Sequence, residues 1–235
     1  MKKAALFSFL LFSTLIVQAY QDTRERPLEP WADFDIRANL RRSILIGQGS
    51  EMRQSGLRRD APDARVEWSG LSGGPSRLRA GTRPLLAAQG EDRETSARLF
   101  LRRHRDLYRL TDREINDLTV GRRDRTAHNG ALHLHFRQAV AGIEIFQGEY
   151  VFSFDRQGEM VSAFGELFAG AAGAVNRRDA VLTAGRAVEL AAGPERNFSR
   201  PPETRLVYFP LSATQLRLAW ECILWLRQSS RAIWS

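Results

Sequence analysis

Residues 131–168 read ALHLHFRQAVAGIEIFQGEYVFSFDRQGEMVSAFGELF, and this run decides the fold. Leu132, Leu134 and Phe136 alternate with His133, His135 and Arg137, the period of a strand with one buried and one wet face. The pattern breaks at Ala141-Gly142, where glycine takes the positive φ of a short hairpin turn without steric cost. The next run puts Phe146, Tyr150, Phe152 and Phe154 on one side and Gln147, Glu149, Val151 and Ser153 on the other. Asp155-Arg156-Gln157-Gly158 then turns the chain into a third strand from Met160 to Leu167. A three-stranded meander with one apolar face needs a cover, and helices upstream and downstream supply one. The expected class is α+β: two small domains, each an antiparallel sheet packed against one helix.

A strand ending in a glycine turn, then Ile143-Glu144-Ile145-Phe146-Gln147-Gly148-Glu149, then the Asp-x-x-Gly turn and Val161-Ser162, resembles the fungalysin/thermolysin propeptide domain. That domain is the pro-region of secreted zinc metallopeptidases. The likeness extends through the preceding helix and, more weakly, to Val66-Glu67-Trp68. The first turn is Ala-Gly where Asn-Gly is commoner, and the glycine that the geometry needs is kept. The resemblance implies a catalytic domain as partner, in cis or in trans, with zinc held there and no cofactor in this chain.

With 235 residues the chain is long enough for one large domain or two small ones. Lys2-Lys3 precede an apolar run from Ala4 to Val17, and Val17-Gln18-Ala19 offers the small residues a signal peptidase reads. The run is shorter than the roughly 20 apolar residues of a membrane span. Residues 1–19 are therefore expected to be a signal peptide cleaved after Ala19, giving a secreted protein, extracellular or periplasmic, with no membrane attachment after cleavage. Losing the only two lysines lowers the formal charge from +8 to +6. The arginines are interspersed with Asp and Glu, as on a solvated mixed surface, so no nucleic-acid partner is expected. Cys222 is alone, which excludes an internal disulfide; alternation places it with Leu218, Trp220 and Leu224 as a small buried residue.

Residues 20–60 are rich in Arg, Pro, Gly, Gln and Ser and read as a flexible segment with one short helix from Ala38. A propeptide-like domain is expected over 61–169. Within it Val66 to Trp68 and the stretch ending at Leu78 form two short strands around a glycine loop. A helix capped by Thr95 or Ser96 runs through Arg105 with Ala97, Phe100, Leu101 and His104 on one stripe. Thr111 and Glu114 have capping-box spacing, and Leu118 to Arg122 is a strand.

Gly170 to Gly173 is a small-residue linker. Beyond it, over 174–235, come a helix from Asp179 to Ala192 capped by Asn176 or Asp179, a strand Leu206 to Phe209 ended by Pro210, and a long alternating strand from Leu216 to Leu226. Gln228 to Ser230 turns that strand toward Ala232 to Ser235. Helix, strand, then Leu-Ala-Trp-Glu and a hairpin resembles the PepSY module that follows the propeptide domain in the same peptidases. By the resemblance, the chain ends where a catalytic domain would begin.

No His-Glu-x-x-His, paired-cysteine site or Gly-x-Gly-x-x-Gly loop occurs. Gly70-Leu-Ser-Gly-Gly74 spells Gly-x-Ser-x-Gly, but it reads as a loop between two short strands with no helix at once after it, unlike a nucleophile elbow; no catalytic activity is therefore expected of this chain. His133 and His135 share a strand face, with His128 nearby, and are the one grouping that looks like metal chemistry. Their face is polar, the sequence fixes no acidic partner, and the resemblance implies no metal. The expected protein-contact residues are His133, His135, Arg137, Glu144 and Glu149, chosen because alternation turns most of them outward. Two functions follow: a pro-region that acts as intramolecular chaperone and inhibitor of a secreted zinc metallopeptidase, or a free-standing exported protein-binding or protease-inhibitory module. A third, a hydrolase with no recognisable motif, remains open at this point.

Overall fold

The computed structural model describes residues 8–11, 37, 50–90, 92–194 and 197–225. The chain divides into two compact units, one of residues 35–175 and 210–216, the other of residues 1–34, 176–209 and 217–235. Helices and antiparallel strands in both make the α+β class plain.

The first helix described in the larger unit is α1 (Ser50–Asp60), inside the stretch expected to be flexible apart from a short helix from Ala38. Met52 and Leu57 are its only large apolar residues, and Met52 is exposed, so no stripe marks it in the sequence. Leu57 and the following Ala61 are buried, and it is this packing that holds the helix. The expected short helix from Ala38 lies outside the described residues. Strands β2 (Arg65–Trp68) and β3 (Pro75–Arg79) flank the glycine loop as expected.

α2 (Arg93–Arg103) starts earlier than expected. Its cap is Asp92, whose carboxylate accepts from the Glu94 and Thr95 amides at 2.8 and 3.3 Å, and not Thr95 or Ser96. Its Ala97, Phe100 and Leu101 are fully buried, and His104 ends it before the short α3 (Arg105–Tyr108). In α4 (Asp112–Asp117) the capping box forms: the Glu114 amide donates to Thr111 Oγ1 at 3.2 Å and the Thr111 amide to Glu114 Oε2 at 2.8 Å.

Strands β4 (Thr119–Arg125), β5 (Leu132–Val140), β6 (Ile143–Phe154) and β7 (Met160–Gly165) follow. Antiparallel pairing sets them in the order β4, β5, β6, β7, β3, β2. Leu134, Phe136, Tyr150, Phe152 and Phe154 are fully buried under the helices. Their rings meet edge-on or tilted: Phe136 with Phe152 at 5.5 Å, Tyr150 with Phe152 at 5.3 Å, and Phe100 of α2 with Phe152 at 6.3 Å. Each such pair adds about 0.5–1.5 kcal/mol beyond its burial. Arg98 ties the helical layer together, donating to Glu94 in its own helix and to the Ile115 and Leu118 carbonyls at the end of α4.

Phe146 departs from the expected alternation. Gln147 takes φ 60°, and the β5/β6 register jumps from Arg137↔Glu149 to Ala139↔Glu144. The bulge changes the phase of the strand, so Ile145 is buried and Phe146 only half-buried. A Cβ on Gly148 would lie 2.7 Å from Ile145 Cβ, so the bulge closes only with glycine there.

After the short α5 (Ala171–Ala174), the smaller unit holds α6 (Ala184–Ala192) and the greater part of β8 (Glu203–Ser212) and β9 (Gln215–Ile223), whose joined ends at 210–216 belong to the larger unit. Thr183 caps α6, taking the Arg186 amide at 3.2 Å, so the helix starts well after Asp179. The expected cap Asn176 instead accepts from the Leu218 amide at 2.9 Å. β8 runs through Pro210, which was expected to end it. Cys222 is buried with Ala187, Ala192 and Leu224, and burial, with Glu221 adding to it, pushes its thiol up to about 11. Of the expected export segment, Ser8–Leu11 forms β1 against β9; the expected cleavage point after Ala19 and the turn at Gln228 to Ser230 lie outside the described residues.

Candidate functional site

On the face of the β2–β7 sheet turned away from α2, the strand registers align side chains into three rows. One row runs Arg65, Arg79, Ser162, Ser153, His133, Asp124. The next runs Glu67, Arg77, Phe164, Val151, His135, Arg122. A third, shorter row holds Glu149, Arg137 and Thr119.

The five expected contact residues come together at one end of this array. His135 Nδ1 is 2.6 Å from Glu149 Oε1, and Arg137 reaches Glu144 at 3.2 Å and Glu149 at 3.5 Å. His133 sits in the neighbouring row, with Nδ1 2.9 Å from Ser153 Oγ and Nε2 3.3 Å from Thr126 Oγ1. His135 is itself largely covered, its side chain 11% exposed, while Arg137, Glu144 and Glu149 remain open to solvent at 37–43%.

Alternation alone missed several members of the face. Asp124 and Arg122, 2.6 Å apart on β4, close over His135 from the side opposite Glu149. His135 Nε2 lies 3.2 Å from Asp124 Oδ2 and 3.4 Å from Arg122 Nη2. Both ring nitrogens of His135 thus have polar partners, Nδ1 with Glu149 and Nε2 with Asp124 and Arg122. Phe164 escaped notice because β7 carries an extra residue opposite the Ser153/Phe154 step, which breaks the period of two. It is 40% exposed. Arg137 lies across Gly121, where a Cβ would come within 2.6 Å of its Nε.

The arrangement does not suit a metal ion. The nitrogens of His133 face hydroxyls, those of His135 are already engaged, and His128 is an exposed turn residue. Among the described residues no group of three or more His, Cys, Asp or Glu is placed to hold one. The face carries instead a partly exposed aromatic, Phe164, and a set of solvent-facing ion pairs.

A second histidine shows the contrast. His104 is 4% exposed beneath α1, and neither ring nitrogen has a hydrogen-bond partner. Asp60 Oδ2 stands 3.5 Å from Nε2 but is held by Arg103 at 2.8 Å. Burial keeps the His104 imidazole below the usual histidine range; the Asp60 carboxylate pulls it up and the Arg103 guanidinium adds to the depression.

These strands are where the chain meets a known family. Residues 116–167 match the family model of the Fungalysin/Thermolysin Propeptide Motif. The propeptide motif begins in the last turn of α4 and takes in β4 to β7, so it spans all five residues expected to make contacts and most of the aromatic core. No curated protein matches the chain. No helix among the described residues is long and apolar enough to cross a membrane.

Proposed function

We propose that this chain is the non-catalytic pro-region of a secreted zinc metallopeptidase of the fungalysin/thermolysin type, and that it serves the enzyme as chaperone and inhibitor. The observation that carries the reading is the match of the propeptide motif to the segment whose outer face gathers His133, His135, Arg137, Glu144 and Glu149. Binding to native-like states of a folding enzyme stabilises them by mass action, and the same contact over a cleft excludes substrate. Arg137, Glu144 and Glu149 are exposed enough to trade their mutual ion pairs for pairs across an interface, where charge complementarity sets partner choice. The zinc belongs to the partner, residues 1–19 direct export, and residues 174–235 form the PepSY-like module. The helix α6 followed by β8 and β9, with Trp220 Nε1 donating to the Leu182 carbonyl at 2.8 Å, supports that last assignment.

The test is direct. The purified chain is titrated into a mature thermolysin-type peptidase and, separately, added during refolding of the denatured enzyme. Saturable inhibition together with a higher refolding yield is the expected result. Absence of both effects at micromolar concentration would overturn the proposal.

A further inference from the structure

The β2–β3 end of the outer face differs from the motif end. Arg65 and Arg79 stand directly opposite each other across the strand pair, both exposed, and Arg77 lies two residues along on the same face. Like charges in directly opposed cross-strand positions repel. Among the described residues neither Arg65 nor Arg79 has an ion-pair partner. Glu67, the acid within the strip, reaches Arg77 at 3.8 Å with both side chains about half exposed, too weak a contact to neutralise three guanidinium groups. Beside Arg77 in the same row comes the half-exposed Phe164, and beyond it Val151.

We propose that this strip, Arg65, Arg79, Arg77 and Phe164, docks an acidic polypeptide segment in extended form. Same-face residues on a strand recur about every 6.8 Å, so Arg77 and Arg79 match carboxylates two residues apart on an extended chain. Each planar guanidinium takes a carboxylate in a two-pronged bond, and a bound carboxylate between Arg65 and Arg79 turns their repulsion into attraction. Phe164 gives an apolar residue of the same segment a surface to cover. A phosphate backbone fits worse: the basic strip is one short block, Glu67 interrupts it, and Asp124 and Glu149 lie farther across the same face.

This inference rests on the outer face being a docking surface and names the chemistry of what docks. It is tested without any peptidase, by fluorescence anisotropy of the full chain with a labelled peptide of alternating Glu and Leu, an alternating Lys and Leu peptide, and inorganic polyphosphate. The Glu peptide is expected to bind, more weakly as salt rises, and the Lys peptide not to bind. Arg65→Ser and Arg79→Thr are each expected to weaken binding about tenfold, and Arg79→Lys less, while thermal melting stays level or rises because the repulsion is relieved. Arg113→Ser, in an exposed position on α4, serves as control. Equal binding by wild type and the Arg65→Ser/Arg79→Thr double variant, no binding by wild type, or tighter binding of polyphosphate would each overturn the proposal. Peptidase inhibition that persists without peptide binding would sink the strip alone; peptide binding without inhibition would sink the pro-region reading alone.

Discussion

The two faces of the β2–β7 sheet are made by alternate residues of the same strands, and they are held together by opposite means. On the helix side Phe136, Tyr150, Phe152 and Phe154 are fully buried, and Tyr108 and Tyr150 face each other with hydroxyls 3.3 Å apart, both held above the usual tyrosine range by burial. On the outer side Arg122, Asp124, Arg137 and Glu149 keep 39–64% of their side chains in water. The inner face is held by close packing of buried rings; the outer face is held by ion pairs that stand half in water. His104 and His135 show the same division in one residue type, one with no hydrogen-bond partner and the other with three charged neighbours.

The largest expected effect lies on the inner face. Phe152→Ala removes a ring that touches Phe100, Phe136 and Tyr150, and should cost about 3–5 kcal/mol in urea denaturation. Three residues back on the same strand, Glu149→Ala cuts a half-exposed pair with Arg137 and a more covered one with His135, which keeps Asp124 and Arg122 beside it, and should cost only about 1 kcal/mol. Similar losses at the two positions would erase the distinction between the faces.

The buried histidine gives a pH dependence with a definite sign. Because the folded-state value of His104 is depressed, the unfolded chain takes up a proton first as pH falls below the ordinary histidine range. Stability from this group is complete above that range, declines as pH falls through it, and levels off once the folded form also protonates. His104→Leu should therefore flatten the fall in urea midpoint between pH 7 and pH 5. An unchanged slope would show that the ring finds a partner in solution.

The smallest effect lies at the hairpin between β5 and β6. Ala141 has φ 50° and Gly142 φ 82°, a turn with two left-handed residues. Ala141→Asn restores the favoured pair for that geometry and should raise stability by about 1 kcal/mol without touching the outer face. The thermal midpoint reads this, and binding behaviour should not move.

The sheet was legible in the sequence because residues 131–168 hold a period of two long enough to fix three strands and both turns. It failed where the backbone breaks that period: at Gln147, which shifts Phe146, and at the extra residue in β7, which hid Phe164. α1 was illegible because its hold on the core comes down to Leu57 and the following Ala61. The start of α2 was misplaced because Asp92 outcompetes the hydroxyls that follow it as a cap. Of the outer face, the residues of β5 and β6 could be named from alternation. Arg122, Asp124 and the Arg65–Arg79 pairing could not, because cross-strand register is set by bulges and pairings that a linear pattern does not record.

The most direct measurement is inhibition of a thermolysin-type peptidase by wild type and by an Arg137→Ala/Glu149→Ala double variant, with the urea midpoint of each recorded alongside. The account predicts inhibition by wild type, at least tenfold weaker inhibition by the variant, and midpoints that differ little. Equal inhibition by the two proteins, or none by either, would contradict it.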